Sequence, residues 1–324
     1  MSLLVVGSVA YDSVQTPAGR RDRALGGSAV YFSLAASYLT KVSLVGVVGE
    51  DFDDRHVELM KSRNVDVSGL ERVKGRTFHW SGIYSTEDVN QRETLDTQLN
   101  VFAEFSPVLR AGHRESDIVF LANIDPALQM NVLDQLDAHP KFTALDSMDF
   151  WIDGSRRDLE RVISEVDLLF LDEGEARSLA GEFNLIRAAR KIQKTGPRTV
   201  VIKRGEHGVL MADDDDVFSA PAYPLERVVD PTGAGDSFAG GFMGTIAATG
   251  DTSSEGLRRA AVVGSVMGSF TVEDFSAERL ESLTMSDIRR RFQEFQSLTT
   301  FDGFDDWSTF ARFSGAEARV GSVG

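Results

Sequence analysis

The sequence predicts an α/β protein in which a mainly parallel sheet is covered by helices on both faces. Short, uninterrupted apolar runs recur along the chain, as they do in strands that are buried on both sides. Segments with apolar residues three and four apart separate most of these runs, and this spacing is typical of amphipathic helices. Regular alternation of the two patterns favours a parallel sheet over separate sheet and helix layers.

The N-terminal elements begin with the apolar run 3–6, which Gly7 ends. The small-residue segment that follows Gly26 and Gly27 predicts a helix. Up to residue 67 we expect a strand at 3–6, a helix at 28–39, a strand at 42–48, a helix at 56–64 and an apolar return at 65–67.

Residues 75–101 have a different pattern. Aromatic and polar residues mix over 77–84, the segment 87–90 has turn composition, and 91–97 could return as a second strand. These residues therefore predict a small sheet outside the main layer.

The second half of the chain repeats the strand and helix alternation. A hairpin is expected over 209–220, and we interpret the four aspartates at 213–216 as its solvated turn and not as a cation site. We expect strands at 117–122, 143–146, 168–172 and 199–203, helices at 127–138, 155–165, 173–181 and 184–195, and then helices at 236–249, 254–269, 276–281 and 285–296.

Composition excludes several classes of protein. The 34 basic and 50 acidic residues give a formal net charge of −16, which argues against a nucleic-acid partner. The chain has no cysteine, so disulfides, thiolate metal sites and a cysteine nucleophile are excluded. It has neither a signal-peptide pattern at its start nor an apolar run long enough to cross a membrane. We expect a soluble cytoplasmic protein, whose acidity suits either solubility or a high-salt host.

The most informative segment is 230–236, Asp-Pro-Thr-Gly-Ala-Gly-Asp. Three small residues in a row let backbone N–H groups point at an anion, and the helix that follows adds partial positive charge there. Asp236 would lie in the first turn of that helix, where a carboxylate repels phosphate and is better suited to accept a proton. The alternative interpretation is a glycine-rich turn in which this aspartate caps the helix.

Residues 230–244, DPTGAGDSFAGGFMG, closely resemble the C-terminal signature of the ribokinase-like (PfkB) family of carbohydrate and nucleoside kinases. Shorter matches lie at 25–27, 46–52 and 201–209, and the resemblance extends over about residues 3–297. It implies a three-layer sandwich over 1–298 with a small β-sheet lid formed by segments 13–24 and 75–101, followed by a tail at 299–324. Family members often pair through their lids, so a homodimer of that kind is also implied.

The resemblance also implies roles for individual residues. Asp236 would be the catalytic base, and the amides of Gly233, Ala234 and Gly235 would form an anion hole for the transferring phosphoryl group. Asp12 would bind substrate hydroxyls and favour a vicinal diol. Residues expected to contact the substrate with Asp12 are Gly26, Gly27 and Tyr31, and those expected to contact ATP are Lys203, Gly205, Gly208, Thr232, Gly233 and Gly235.

Glu175 matches the glutamate of the family's Asn-x-x-Glu motif, which organises Mg²⁺, and Asp172 stands where that motif has Asn. Two further departures, Ala10 and Tyr31, fall in the presumed sugar pocket and argue against assuming ribose or fructose. The resemblance implies ATP and Mg²⁺ as cofactors and leaves open a monovalent cation such as K⁺.

These features predict an ATP-dependent kinase that phosphorylates a hydroxyl of a small sugar or sugar-like substrate. A nucleoside kinase is the alternative, because Tyr31, Phe78 and Trp80 could stack on a base, although we favour their filling the interface between lid and core. A non-catalytic binding protein is disfavoured by the intact Gly-Ala-Gly-Asp segment. A nicotinamide dehydrogenase is set aside, because G-x-G-x-x-G does not follow the first strand.

Overall fold

The structure is a computed structural model that describes residues 1–303. Its strands alternate with helices along most of the chain, as the sequence predicts. The strands are β1 (Leu3–Val6), β2 (Ala10–Thr16), β3 (Gly19–Gly26), β4 (Val42–Gly49), β5 (Val65–Val73), β6 (Phe78–Tyr84), β7 (Arg92–Gln98), β8 (Ile118–Leu121), β9 (Phe142–Asp146), β10 (Leu168–Asp172), β11 (Thr199–Lys203), β12 (Val209–Asp213) and β13 (Asp216–Ala220).

The helices fall close to their predicted positions. Two short ones, at Ala111–Arg114 and Asp149–Gly154, were not expected, because neither is long enough to show a helical repeat. The helices are α1 (Ser28–Ala36), α2 (Asp54–Ser62), α3 (Ala111–Arg114), α4 (Pro126–Asp134), α5 (Asp149–Gly154), α6 (Arg156–Ile163), α7 (Glu173–Ala180), α8 (Leu185–Gln193), α9 (Ala234–Thr249), α10 (Ser254–Thr271), α11 (Glu278–Ser282) and α12 (Met285–Thr299).

Nine strands form the main sheet of the described residues, in the order β13-β12-β11-β10-β9-β8-β1-β4-β5. Strands β11 to β5 in this order are parallel, and β12 and β13 complete one edge as an antiparallel hairpin. Asp214, Asp215 and Asp216 are exposed at the turn of that hairpin, as predicted. Asp213 is not part of a solvated turn, because it ends β12 and its buried carboxylate pairs with Arg198. The carboxyl ends of β9, β10 and β11 therefore meet at one edge of the sheet.

Both faces of this sheet are buried, which explains the continuous apolar runs. In β1, Leu3 and Val5 belong to a core shared with α1, α9 and α10, whereas Leu4 and Val6 belong to a second core shared with α4, α6 and α8. Successive side chains of a strand point to opposite faces, so each residue of the run is buried by a different helix layer. The fold is the ribokinase-like three-layer sandwich that the resemblance implies.

A second sheet of four strands lies outside the sandwich, in the order β3-β2-β6-β7. Strand β2 pairs in parallel with β6, and both outer pairs are antiparallel. The sequence identifies β6 and β7, but it suggests only an inserted segment at 13–24 where the hairpin β2–β3 lies. Most of β3 is exposed, so its sequence carries little hydrophobic pattern.

The C-terminal part of the predicted tail, 304–324, lies outside the described residues. Thr299, where that tail was expected to begin, is the last residue of α12. Within residues 1–303, none of the helices combines the length and the apolar character needed to span a bilayer.

Candidate active site

Three charged residues end neighbouring strands of the main sheet. Asp146 ends β9, Asp172 ends β10 and Lys203 ends β11, and the register pairs Asp172 directly with Lys203. Helix α9 begins nearby, with Asp236 in its first turn. Because β9, β10 and β11 are parallel, their carboxyl ends bring residues 57 positions apart in the sequence within hydrogen-bond distance.

The turn before α9 is held by a buried carboxylate. Asp230 accepts hydrogen bonds from the amides of Thr232, at 2.9 Å, and Ser276, at 3.0 Å. Gly233 then caps the helix with a left-handed backbone, φ 77°. The ring of Tyr31 lies so close to Gly233 that a β-carbon there would come within 2.4 Å of it.

The structure distinguishes between the three amides predicted to form the anion hole. The amide of Ala234 donates to the Pro231 carbonyl at 3.2 Å, so it is engaged within the turn. Gly235 lies next to it at the start of α9, where the first N–H groups of a helix lack intrahelical partners. The backbone of this turn therefore presents positive partial charge to the space in front of Asp236.

A buried ion pair lies beside this helix end. The Lys203 Nζ donates to both carboxylate oxygens of Asp146, at 3.0 and 2.9 Å. Burial disfavours the ammonium, but Asp146 and Glu175 more than offset this, so the net effect is a raised pKa of Lys203. The Nζ also lies 3.2 Å from the position that a β-carbon of Gly235 would occupy. Sequence reasoning missed Asp146; a carboxylate at the end of a buried strand marks the position but does not identify Lys203 as its partner.

Asp236 lies in an environment that disfavours its charge. Burial raises the pKa of this carboxyl to about 7, and Asp146 adds to the rise, whereas Lys203 and Arg92 oppose it. A carboxyl with a pKa near neutrality can accept a proton and release it again at physiological pH.

Asp172 and Glu175 form the N-terminal capping box of α7. The Asp172 amide donates to Glu175, and the Glu175 amide donates to Asp172, each at 2.7 Å. Burial raises the pKa of Glu175 to about 8, and the charges of Asp172 and Asp146 contribute. Within residues 1–303 no group of three metal-binding side chains occurs. The carboxylates of Asp172 and Glu175 nonetheless suit Mg²⁺, because this ion takes few protein ligands and keeps water and phosphate oxygens as its other ligands.

Asp12 comes to the site from the small sheet. It lies on β2, is only 6% exposed, and faces Gly26 at the end of β3. Burial, together with the charges of Asp230 and Asp236, raises the pKa of Asp12 to about 7. Asp12 and Asp236 are thus close enough to interact electrostatically, although one lies on a strand of the small sheet and the other in helix α9, 224 positions later in the sequence.

The small sheet also covers the site with polar groups. The Tyr84 and Thr232 hydroxyls are 3.1 Å apart, which connects β6 to the turn before α9. Arg92, at the start of β7, lowers the pKa of both Asp12 and Asp236 by its charge. No sequence motif identified Tyr84 or Arg92, because their proximity to the site depends on how the two sheets pack.

The remaining predicted residues lie around this centre. Gly27 caps α1 and packs against the Ser8 carbonyl. Gly205 and Gly208 form the turn between β11 and β12, and the side chain of Asn90, from the loop between β6 and β7, lies against Gly205. Gly208 lies against the backbone of Ala220. Local packing alone therefore accounts for both glycines.

Together the sandwich, the small sheet and a carboxylate at a glycine-rich helix start define a phosphotransferase with a hydroxyl acceptor. The chain belongs to the pfkB family of carbohydrate kinases, whose sequence profile matches residues 2–282. Ribokinase-family kinases use ATP and Mg²⁺.

Two relatives and one solved structure are informative. A cytidine kinase of Thermococcus kodakarensis is 32% identical over 250 residues, which cover 75% of this chain and 87% of the relative. A nucleoside kinase of Methanothermobacter thermautotrophicus is 28% identical over 285 residues, or 84% and 89% of the two chains. The structure of the Methanocaldococcus jannaschii nucleoside kinase superposes with a TM-score of 0.72 at 18% identity, covering 90% and 98%.

Proposed function

We propose that this protein is an ATP-dependent kinase whose acceptor is the hydroxyl group of a nucleoside. The observation that carries the proposal is the position of Asp236 in the first turn of α9, next to the Gly233–Gly235 turn and the Lys203 ammonium. A carboxylate at this position repels a bound phosphate, so it does not serve to bind one. Its proposed role is to accept the proton of the attacking hydroxyl.

The proposed reaction needs no covalent enzyme intermediate. The acceptor oxygen forms a bond to the γ-phosphorus of ATP, and its proton passes to the Asp236 carboxylate. The bond between the γ-phosphorus and the β–γ bridging oxygen breaks, and ADP leaves with that electron pair. The amides of Gly233 and Gly235 stabilise the charge on the transferring group. Asp172 and Glu175 would hold Mg²⁺, which when bound neutralises part of the phosphate charge.

One line of support favours a nucleoside over a simple sugar, and a second is compatible with either acceptor. The relatives at 32% and 28% identity are named cytidine kinase and nucleoside kinase. The buried Asp12 carboxylate can accept hydrogen bonds from both hydroxyls of a vicinal diol, and the ribose of a nucleoside offers such a diol. A ribonucleoside bound through its diol leaves its 5′-hydroxyl free to reach the proposed base.

The small sheet adds an aromatic side chain on which the nucleobase of the acceptor could stack. The register of β2 and β6 pairs Asp12 with Trp80, and neighbouring residues in register project from the same face of a sheet. Trp80 is partly exposed, and its indole N–H donates to Thr94 at 3.3 Å. Phe78 instead stacks on Phe102 and fills the junction of lid and core, as the sequence favoured. Tyr31 packs behind Gly233.

Two other sequence predictions remain proposals. A monovalent cation would activate the enzyme, and two copies would pair through the small sheet, in which β3 and β7 are the outer strands. Rate measurements with K⁺, with Na⁺ and with neither ion test the activation. Light scattering of the purified protein tests whether two copies pair.

The test is ADP release from Mg-ATP with a panel of ribonucleosides, deoxyribonucleosides and free sugars. Reactions without an acceptor and with the Asp236→Asn variant serve as controls. We expect turnover with at least one ribonucleoside, loss of that turnover in Asp236→Asn, and a higher KM for nucleosides in Trp80→Ala. Strong turnover with a free sugar and none with nucleosides would favour the sugar alternative. Equal turnover by Asp236→Asn would refute the assigned base.

A further inference from the structure

The buried pair of Asp146 and Lys203 has an arrangement that stability alone does not explain. We propose that the Lys203 ammonium binds the transferring phosphoryl group directly, and that Asp146 is the positioning residue that holds it there. This inference rests on the proposed function, and it assigns a role to a carboxylate that no sequence motif identified.

The geometry leaves the ammonium free to bind a ligand. An ammonium group has three N–H donors, and the two oxygens of Asp146 engage at most two of them in the contacts of 2.9 and 3.0 Å. The Nζ lies 3.2 Å from the position of a β-carbon on Gly235, and so beside the amides at the start of α9. A phosphoryl oxygen bound by those amides would be within reach of the remaining donor.

The electrostatics point the same way. The start of a helix carries partial positive charge and attracts anions, so an ammonium group beside it adds to a site for a phosphate. Lys203 lies at such a helix start, whereas its partner Asp146 is only 4% exposed. The carboxylates of Asp236 and Glu175 both interact with Lys203, so they place negative charge around the position of an incoming phosphate. A fixed ammonium counters that repulsion.

A second ion pair, whose carboxylate is also buried, serves as a comparison. At the other end of β11, Arg198 contacts Asp213, which is 2% exposed and also accepts hydrogen bonds from Thr199 and Ser254 at 2.8 and 2.6 Å. Protein groups surround that carboxylate, among them the Ser254 hydroxyl at the start of α10, and the pair lies at the end of β11 opposite to Lys203 and the start of α9. It is a structural pair, and Asp213→Asn is a matched control for Asp146→Asn.

The test is a double-mutant cycle of Lys203→Met, Asp146→Asn and their combination, with a nucleoside that the wild type phosphorylates. We expect Lys203→Met to lower kcat by about 10²- to 10³-fold, as does the loss of one donor to a developing oxyanion. The KM for the acceptor should change by less than about threefold. Because Asp146 acts through Lys203, Asp146→Asn should lower kcat alone but cause no further loss in the Lys203→Met background. The control variant Asp213→Asn should keep the wild-type kcat.

A binding measurement keeps the test independent of turnover and of folding. Calorimetric titration with ADP and with a non-hydrolysable ATP analogue should show that Lys203→Met loses affinity for the triphosphate and little for ADP. Lys203→Arg, which keeps the charge, should retain most of the triphosphate preference. Equal affinity losses for the two nucleotides, or losses of kcat that multiply in the double variant, would overturn the inference. A wild type that phosphorylates nothing in the panel would count against the proposed function, and the nucleotide titrations would still test Lys203.

Discussion

The Asp12 carboxylate lies directly against the α-carbon of Gly26, so that a β-carbon on Gly26 would come within 2.0 Å of an Asp12 oxygen. We therefore expect Gly26→Ala to displace Asp12 from the site. The KM of the acceptor should rise at least about tenfold, because the charged hydrogen bonds to the diol are lost. Steady-state kinetics with varied acceptor and saturating ATP measure this.

Gly112→Ala is the matched control, since a β-carbon at Gly112 meets no atom within 4 Å. Its kinetics should equal those of the wild type. An unchanged acceptor KM in Gly26→Ala would mean that Asp12 does not bind the acceptor.

A second prediction concerns Gly233, whose φ of 77° and contact with the Tyr31 ring both disfavour a side chain. Gly233→Ala should lower both the melting temperature and kcat, because the turn must move away from Tyr31. Gly181 has a similar φ of 57° but open space around it, so Gly181→Ala carries only the backbone cost of about 1–2 kcal/mol. Thermal melts and kinetics of the two variants distinguish the effect of backbone strain from the effect of moving the turn away from Tyr31. If Gly181→Ala lowers kcat as much as Gly233→Ala, the effect is a general loss of stability.

The pH dependence of activity follows from Asp236, whose pKa of about 7 lies well above that of an ordinary carboxyl. Only the ionised form accepts a proton, so kcat/KM should rise through pH 7 and fall about tenfold per unit below it. Asp12 has a similar pKa and steepens the fall, so Asp12→Asn should keep an acidic limb of lower slope. A flat profile between pH 6 and 8 would argue against a carboxylate base.

The stability of the folded protein should fall as pH rises, whereas its activity should increase. The folded-state pKa values of Asp12, Glu175 and Asp236, at about 7, 8 and 7, lie above those of the unfolded chain. The folded protein therefore binds more protons than the unfolded chain, and stability falls as pH rises through this range. We expect the melting temperature without nucleotide to fall between pH 7 and pH 9.

Glu175→Gln removes one of these groups and should flatten that dependence. The comparison is made above pH 7 because the lowered pKa values of His56, His79 and His113 act with the opposite sign at lower pH. A melting temperature that rises between pH 7 and 9 would contradict the assignment.

The main sheet was predictable because burial on both faces leaves a continuous apolar run in each strand. Strand β3 was not, because its residues from Gly19 to Arg23 are exposed. For the site, the Asp236 turn has a local sequence pattern, so one segment suffices to propose it. The role proposed for Asp146 depends on its ion pair with Lys203, which lies 57 residues later in the sequence and two strands away in the sheet. A single sequence contains no signal for such a pairing. The contact between Tyr31 and Gly233 depends in the same way on how α1 packs against α9.

The carboxylate proposed to bind the diol belongs to the small sheet, whereas the proposed base belongs to the sandwich. An acceptor must therefore span the junction between the two sheets to react. With the proposed roles, the separation of the two carboxylates would select acceptors by the distance between their hydroxyls, independently of any nucleobase. Small adjustments in how the sheets pack would change that distance while the phosphate-binding groups stay in place. Acceptor preference and phosphoryl chemistry can consequently diverge separately among proteins of this architecture.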